Sequence, residues 1–86
     1  MTTDTFLRRL EEGKANNLIY GVEGKEGLVC VWKHKDEFIL TWEECPPGQQ
    51  YDESTYTRDT RHVFPISTSL LDFLAENDLR VELFKP

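Results

Sequence analysis

The residues best suited to chemistry in this chain are two cysteines and two histidines. Cys30, His34, Cys45 and His62 could be combined into a zinc site, because thiolates and imidazoles are ligands that zinc prefers. Their spacing does not form two close ligand pairs. Cys30 is predicted within a strand and His34 in the turn that follows it, so the two side chains are not expected to meet at one ion. The sequence therefore predicts no metal site and no cofactor.

A catalytic thiol is a second possibility, and the surroundings of the cysteines argue against it. Cys45 is expected to be exposed, but it follows two glutamates, and neighbouring carboxylates disfavour the reactive thiolate. Cys30 alternates with Leu28 and Trp32, which predicts a buried and inert thiol. Since the chain has no secretory signal, both thiols are expected to stay reduced.

Carboxylates are the most numerous chemical groups, sixteen in all. Neighbours such as Glu43 and Glu44 point to opposite faces of a strand and cannot share one substrate. The sequence has no glycine-rich phosphate loop, no H-E-x-x-H motif and no paired C-x-x-C motif. It therefore predicts no enzyme and no catalytic residue.

The carboxylates are unevenly spread, and we call residues 36–57 the acidic window. The window has six acids and no Lys or Arg, whereas the other residues have ten of each sign, so the formal charge of −6 belongs to the window. The same stretch contains Trp42, two tyrosines and a Pro-Pro-Gly break. The residues predicted to contact a partner are Asp36, Glu37, Glu43, Glu44, Tyr51, Asp52, Glu53 and Tyr56.

A localised negative field with large amphipathic side chains suits a basic partner. Net acidity argues against direct binding to nucleic acid or to an anionic membrane. In size, acidity and sparse motifs, the chain is similar in composition to bacterial immunity proteins and phage-encoded counter-defence proteins. We therefore predict an inhibitor that blocks a basic, nucleic-acid-handling protein, such as a nuclease toxin or a nucleic-acid-binding effector. Its carboxylates would imitate a phosphate backbone.

Other interpretations stay open. The chain could be a structural or regulatory subunit that associates through the polar edge strand predicted within 51–64, as a homodimer or in a larger complex, with its acidity only keeping it soluble. The acidic window could be only a solvated loop, and Trp42 could be a core aromatic or an interface anchor. The longest apolar run, residues 28–32, is too short to span a membrane. With no secretory signal at its N-terminus, the chain is predicted to be cytoplasmic.

The pattern of apolar residues predicts one α+β domain over residues 1–86, in the order α-β-β-β-β-α-β. The predicted helices are residues 4–12 and a second one from an N-cap at Ser67 to a left-handed Asn77. The predicted strands are residues 17–22, 28–33 and 38–44, an edge strand within 51–64, and 79–84, with a turn at 24–27 and a loop at 45–50. The simplest packing is an antiparallel sheet of about four to five strands with both short helices on one face.

The expected core comprises Phe6, Leu10, Leu18, Tyr20, Val29, Val31, Leu40, Leu71, Leu74, Val81 and Leu83. The sequence leaves open which face of the second strand packs under the helices. Val29 and Val31 lie on one face and Cys30 and Trp32 on the other, and a shift of one residue exchanges the two faces.

Overall fold

The two helices and four strands follow each other in the order α-β-β-β-β-α, in a computed structural model that describes all 86 residues. The elements are α1 (Thr3–Glu11), β1 (Asn16–Val22), β2 (Lys25–His34), β3 (Glu37–Cys45), β4 (Arg58–Phe64) and α2 (Ser67–Glu76), with short 3₁₀ helices at Glu53–Thr55 and Val81–Leu83. The strands form one sheet in the order β1-β2-β3-β4, and every neighbouring pair is antiparallel. The predicted α+β fold is confirmed, and β4 is an edge strand as predicted.

Local hydrogen bonds explain where α1 begins and ends. The hydroxyl of Thr2 accepts from the backbone N–H of Thr5 at 3.2 Å, which caps the first turn. At the other end Gly13 takes a φ of 81°, and the N–H of Lys14 donates to the carbonyl of Arg9 at 2.9 Å. This left-handed ending is the one for which glycine is suited.

The ends of α2 differ from the prediction by one residue each. Ile66 is the N-cap and makes no side-chain capping bond, so Ser67 is already helical. The left-handed residue at the C-terminus is Asp78, with a φ of 55°, whereas Asn77 has a φ of −104°. The N–H of Leu79 closes the turn by donating to the carbonyl of Leu74 at 2.8 Å.

Two tight turns set the register of the first three strands. Val22 pairs with Lys25, so β2 begins three residues earlier than predicted and Gly27 lies within the strand. The β2–β3 turn consists of Lys35 and Asp36, which both have positive φ values, 49° and 66°. Two such residues in succession characterise the type I′ hairpin, whose twist matches that of the strands.

Both helices pack on the same face of the sheet, which we call the covered face. Val29 and Val31 are fully buried there, which settles the question that the sequence left open. The buried cluster comprises Phe6, Leu10, Leu18, Val29, Val31, Phe38, Leu40, Trp42, Leu70, Leu74, Leu79 and Phe84. The opposite face carries no helix, and we call it the open face. It presents Ile19, Leu28, Cys30, Trp32, Ile39, Thr41, Glu43, Cys45, Arg61 and Val63.

The predicted final strand, residues 79–84, is wrong. Its alternating pattern suggested that Leu79, Val81 and Leu83 point inward, but Leu83 is 54% exposed and Val81 is only half-buried. Leu79 is buried as expected, but a 3₁₀ turn then breaks the alternation and buries Phe84 in place of Leu83. Only Lys85 joins the sheet edge, through two 2.7 Å backbone bonds to Asn17.

Two further members of the expected core lie nearer the surface. Tyr20 and Leu71 are half-buried and pack against the buried cluster without belonging to it. Phe84 was missing from the expected core, and its ring meets that of Phe6 edge to face at a centroid distance of 5.2 Å.

Candidate functional site

The fold divides the acidic window among separate places. Asp36 and Glu37 are exposed at the β2–β3 turn, and Glu43 and Glu44 lie at the other end of β3. At the usual rise per strand residue, the two ends of β3 are about 25 Å apart. The remaining predicted contact residues follow β3, on the segment 46–57, which we call the tyrosine loop. The window is therefore not one continuous surface.

Glu44 points to the covered face and is only 7% exposed. Arg58 donates to its carboxylate from Nε at 3.1 Å, and Nζ of Lys25 lies 3.4 Å from it. The hydroxyl of Tyr20 also donates to it. Tyr20 lies on β1, Lys25 begins β2 and Arg58 begins β4, so the carboxylate of Glu44 on β3 links all four strands.

An aromatic side chain completes this cluster. The indole N–H of Trp42 donates to the hydroxyl of Tyr20 at 2.9 Å, and the guanidinium of Arg58 lies 4.0 Å from the centroid of the Trp42 ring. Trp42 is 7% exposed and belongs to the buried cluster, so of its two predicted roles the core aromatic is the one confirmed.

The surroundings of Glu44 favour its charged form. Burial acts to raise the pKa of its carboxyl group, but the hydrogen bonds from Tyr20, Lys25 and Arg58 outweigh burial, and the pKa is lowered. Glu44 was predicted to contact a partner. The structure places it inside the sheet, where its charge is already compensated by the chain's own bases.

Glu43 points to the open face and has different neighbours. Its cross-strand partners are Leu28 and Asp59, while Glu26 lies beside it, opposite Cys45. The ion pairs of the chain involve neither Glu43 nor Glu26. Asp59 is in no ion pair either, so three uncompensated carboxylates lie near each other on the open face, at the end where the tyrosine loop begins.

The tyrosine loop and this end of the open face enclose a pocket of about 400 Å³. Ile19 and Leu28, which are cross-strand partners, supply apolar surface. Tyr51 and Tyr56 bring two aromatic rings to the same pocket, and Tyr51 is 94% exposed. The complete lining is Ile19, Glu26, Gly27, Leu28, Glu43, Cys45, Gln50, Tyr51 and Tyr56, and it includes no basic residue.

Internal hydrogen bonds hold the tyrosine loop in place. The hydroxyl of Tyr56 donates to the carbonyl of Gln50 at 2.6 Å, and the N–H of Thr57 donates to the carbonyl of Glu44 at 2.8 Å. Asp52 is exposed, and its carboxylate accepts from the N–H of Ser54 at 3.1 Å, which caps the 3₁₀ helix Glu53–Thr55. The end of the tyrosine loop is thus bonded to β3, and the ring of Tyr56 is bonded to the loop backbone.

Burial, with a smaller contribution from the negative charge of Glu43, raises the pKa of three neighbouring groups. Burial raises the pKa of the Cys45 thiol, and Glu26 and Glu43 raise it further. Burial and then Glu43 likewise raise the pKa of the Tyr56 phenol and of the Cys30 thiol. Each of these groups is therefore held in its neutral form at neutral pH.

Searches of protein families, of curated proteins and of solved structures find no match to this chain. The site must therefore be interpreted from its own geometry. It combines an apolar floor, two aromatic rings and two uncompensated carboxylates. Such a pocket is suited to binding a cationic group that has an apolar stem.

Two expectations about the cysteines are wrong. Cys45, expected to be exposed, is 5% exposed, because it ends β3 beneath the tyrosine loop. Cys30, expected in the core, is half-buried on the open face. The structure brings together no group of three or more His, Cys, Asp and Glu side chains arranged to hold a metal ion. Neither helix has the length and apolar character needed to cross a membrane.

Sequence reasoning missed part of the pocket. The sequence pattern places Glu26 in a turn and does not single out Ile19, Leu28 or Gln50 as contact residues. The available signal was the register of the first two hairpins, since the β1–β2 turn pairs Ile19 with Leu28 and the β2–β3 turn pairs Leu28 with Glu43. Of the predicted contact residues, the pocket unites Glu43, Tyr51 and Tyr56, whereas Asp36 and Glu37 lie at the far end of the sheet.

Proposed function

We propose that the chain is a small inhibitor that binds and blocks a basic, nucleic-acid-handling protein. That partner would be a nuclease toxin or a nucleic-acid-binding effector. The contact surface would be the open face around Glu43 together with the tyrosine loop. One observation carries the proposal. Glu43 and Glu26 lie without a basic partner beside the rings of Tyr51 and Tyr56, on the face of the sheet that no helix covers.

Charge and aromatic surface would have separate roles in this complex. Unpaired carboxylates attract a basic protein and orient it as it approaches, which raises the association rate constant. A tyrosine supplies rigid contact area that is desolvated on binding, and tyrosine is enriched among residues that dominate binding energy. Tyr51 is suited to this second role because almost all of its side chain is accessible.

Two charge variants separate the site from the general field of the protein. The site variant neutralises three acids near the tyrosine loop through the substitutions Glu26→Gln, Glu43→Gln and Glu53→Gln. The control variant removes the same charge at the β2–β3 turn and at an exposed position of α2, through Asp36→Asn, Glu37→Gln and Asp72→Asn. Each variant changes the net charge by the same amount, so a difference between their association rates shows that the position of the charges matters.

The experiment is capture of the partner from the cells that encode the chain, followed by binding kinetics with all three proteins. We expect the site variant to associate about tenfold more slowly at low ionic strength. The deficit should shrink as salt is added, because the Debye length falls to about 10 Å at 0.1 M salt. The control variant should associate at a rate close to that of the wild type. Equal rates for the two variants, or a partner without net positive charge, would contradict the proposal.

A second candidate function is association through a sheet edge. The outer edge of β1 is bridged by Lys85 only at Asn17, and Ile19 and Val22 on this strand are 79% and 51% exposed. An unpaired edge with apolar side chains favours strand pairing with a second chain. Sedimentation of the protein alone tests this candidate, because pairing of two copies would double the mass and would respond weakly to salt.

A further inference from the structure

We propose that the pocket between the tyrosine loop and the ends of β2 and β3 binds an arginine side chain of the protein partner. This inference rests on the proposed function, because it specifies which group of the basic partner enters the surface. Its basis is the geometry of the pocket, together with a guanidinium site that the same strand builds on its other face.

The chain already recognises one guanidinium in this way. On the covered face, Arg58 donates to the carboxylate of Glu44 at 3.1 Å while lying 4.0 Å from the ring centroid of Trp42. Within this sheet, one carboxylate and one aromatic ring thus contact the same guanidinium. The next residue back along β3, Glu43, presents the same kind of group to the open face, with the rings of Tyr51 and Tyr56 beside the same pocket.

No base of this chain satisfies the open-face site. Lys25 and Arg58 are both engaged with Glu44 on the covered face. Arg61 shares the open face with Glu43, but its guanidinium lies over the ring of Trp32, 5.9 Å from the centroid. The carboxylates of Glu26 and Glu43 are thus available to a cation from another molecule.

The lining favours arginine over lysine. A guanidinium is planar and weakly hydrated, so it can stack on a tyrosine ring while it donates to a carboxylate. An ammonium group keeps its water more strongly and gains less from a partly apolar pocket. The methylene stem of an arginine would lie against Ile19 and Leu28, which supply the apolar part of the lining.

Three capped tripeptides test the assignment without knowledge of the partner. They are acetyl-Gly-Arg-Gly-amide, its lysine counterpart, and its citrulline counterpart, in which the side chain keeps the shape of arginine but has no charge. Each is titrated into the ¹⁵N-labelled full chain at low ionic strength. We expect the arginine peptide to bind with a dissociation constant of about 1–10 mM. Saturable shifts should appear at the amides of Gly27, Leu28 and Cys45.

The lysine peptide should bind at least about threefold more weakly, and the citrulline peptide should not saturate. Glu43→Gln and Tyr51→Ala should each weaken binding of the arginine peptide by about fivefold or more. Glu37→Gln, a matched change at the far end of the sheet, should leave it unaltered. Because Tyr51 and Glu43 lie outside the core, thermal unfolding of each variant should match that of the wild type.

The two proposals can fail separately. If no arginine shift saturates, or if citrulline or lysine binds equally well, the arginine assignment is wrong, even where the site variant still associates slowly with a basic partner. If arginine binds as expected but the site and control variants associate with the partner at the same rate, the pocket exists and the proposed inhibitor surface is wrong.

Discussion

The ring of Tyr20 lies directly over the backbone of Gly27, its cross-strand partner. A Cβ atom on Gly27 would lie 2.1 Å from Cζ of that ring, far inside van der Waals contact. The ring cannot easily move away, since its hydroxyl accepts from Trp42 and donates to Glu44. The absence of a side chain at residue 27 is thus what allows the Glu44 cluster to form.

Gly27→Ala should therefore destabilise the protein. The added methyl group must displace an anchored ring, and overpacking of this kind costs about 1–3 kcal/mol of unfolding free energy. Gly21→Ala is the matched control, because a Cβ at Gly21 meets nothing within 4 Å. Chemical denaturation of both variants checks the expectation, and equal stability would mean that the Tyr20 ring moves without cost.

Glu44→Gln should lower stability at neutral pH and flatten its dependence on pH. The amide leaves Lys25 and Arg58 without a carboxylate, and losing hydrogen bonds between charged groups costs about 1–3 kcal/mol. The pKa of Glu44 is lowered from an ordinary value of 4.5, so its contribution is complete above that value. The contribution is lost as the pH falls through the folded-state pKa.

Denaturant titrations between neutral and acidic pH measure this effect. The wild type should lose more stability than Glu44→Gln on acidification, so the two curves should converge. Glu43→Gln, the adjacent change on the open face, should leave the neutral-pH stability close to that of the wild type. Parallel curves for the wild type and Glu44→Gln would contradict the role given to the carboxylate.

Leu74→Ala should lower the free energy of unfolding by about 2–5 kcal/mol, because the side chain is 1% exposed and its removal leaves a cavity beneath α2. Chemical denaturation measures this loss.

Leu83→Ala tests the corrected C-terminal segment. The sequence pattern placed Leu83 in the core, but it is 54% exposed, and its truncation should cost less than about 0.5 kcal/mol. A large loss for Leu83→Ala would restore the strand predicted from the alternation.

Asp78→Gly should stabilise the protein by about 0.5–1 kcal/mol. Asp78 ends α2 with a φ of 55°, a conformation that glycine adopts without steric cost. Asn77→Gly is the contrasting change, since Asn77 has a negative φ and its side chain donates to the carbonyl of Phe73 at 2.8 Å. The thermal midpoint should rise for Asp78→Gly and fall for Asn77→Gly. The reverse order would place the helix end at Asn77.

The fold was largely predictable because its elements depend on local patterns. Apolar residues at helical spacing marked α1 and α2, and alternation marked the first three strands. Errors occur where a longer-range contact overrides the local pattern. In residues 79–84 the alternation was genuine, but burial of Phe84 against Phe6 favoured a 3₁₀ turn.

The site was less predictable, because the sequence shows where the charged residues are but not which acids are paired with bases in the folded protein. Glu43 and Glu44 are adjacent and chemically identical, and only the register of the sheet assigns one to each face. The bases that neutralise Glu44 are Lys25 and Arg58, which lie 19 and 14 residues away along the chain. The concentration of acid in residues 36–57 was real, whereas its interpretation as a single surface required the fold.

The opposite orientations of Glu43 and Glu44 also affect how this sequence can change over generations. Replacing Glu44 alone removes the carboxylate that Lys25, Arg58 and Tyr20 share, at a cost in stability, so these four positions are expected to change together in descendants of the chain. Glu43 has no such partners within the molecule, and under the proposed function its identity depends on the protein it meets. When the chain evolves to bind a new target, Glu43 can therefore be replaced by a single substitution while Glu44 is retained.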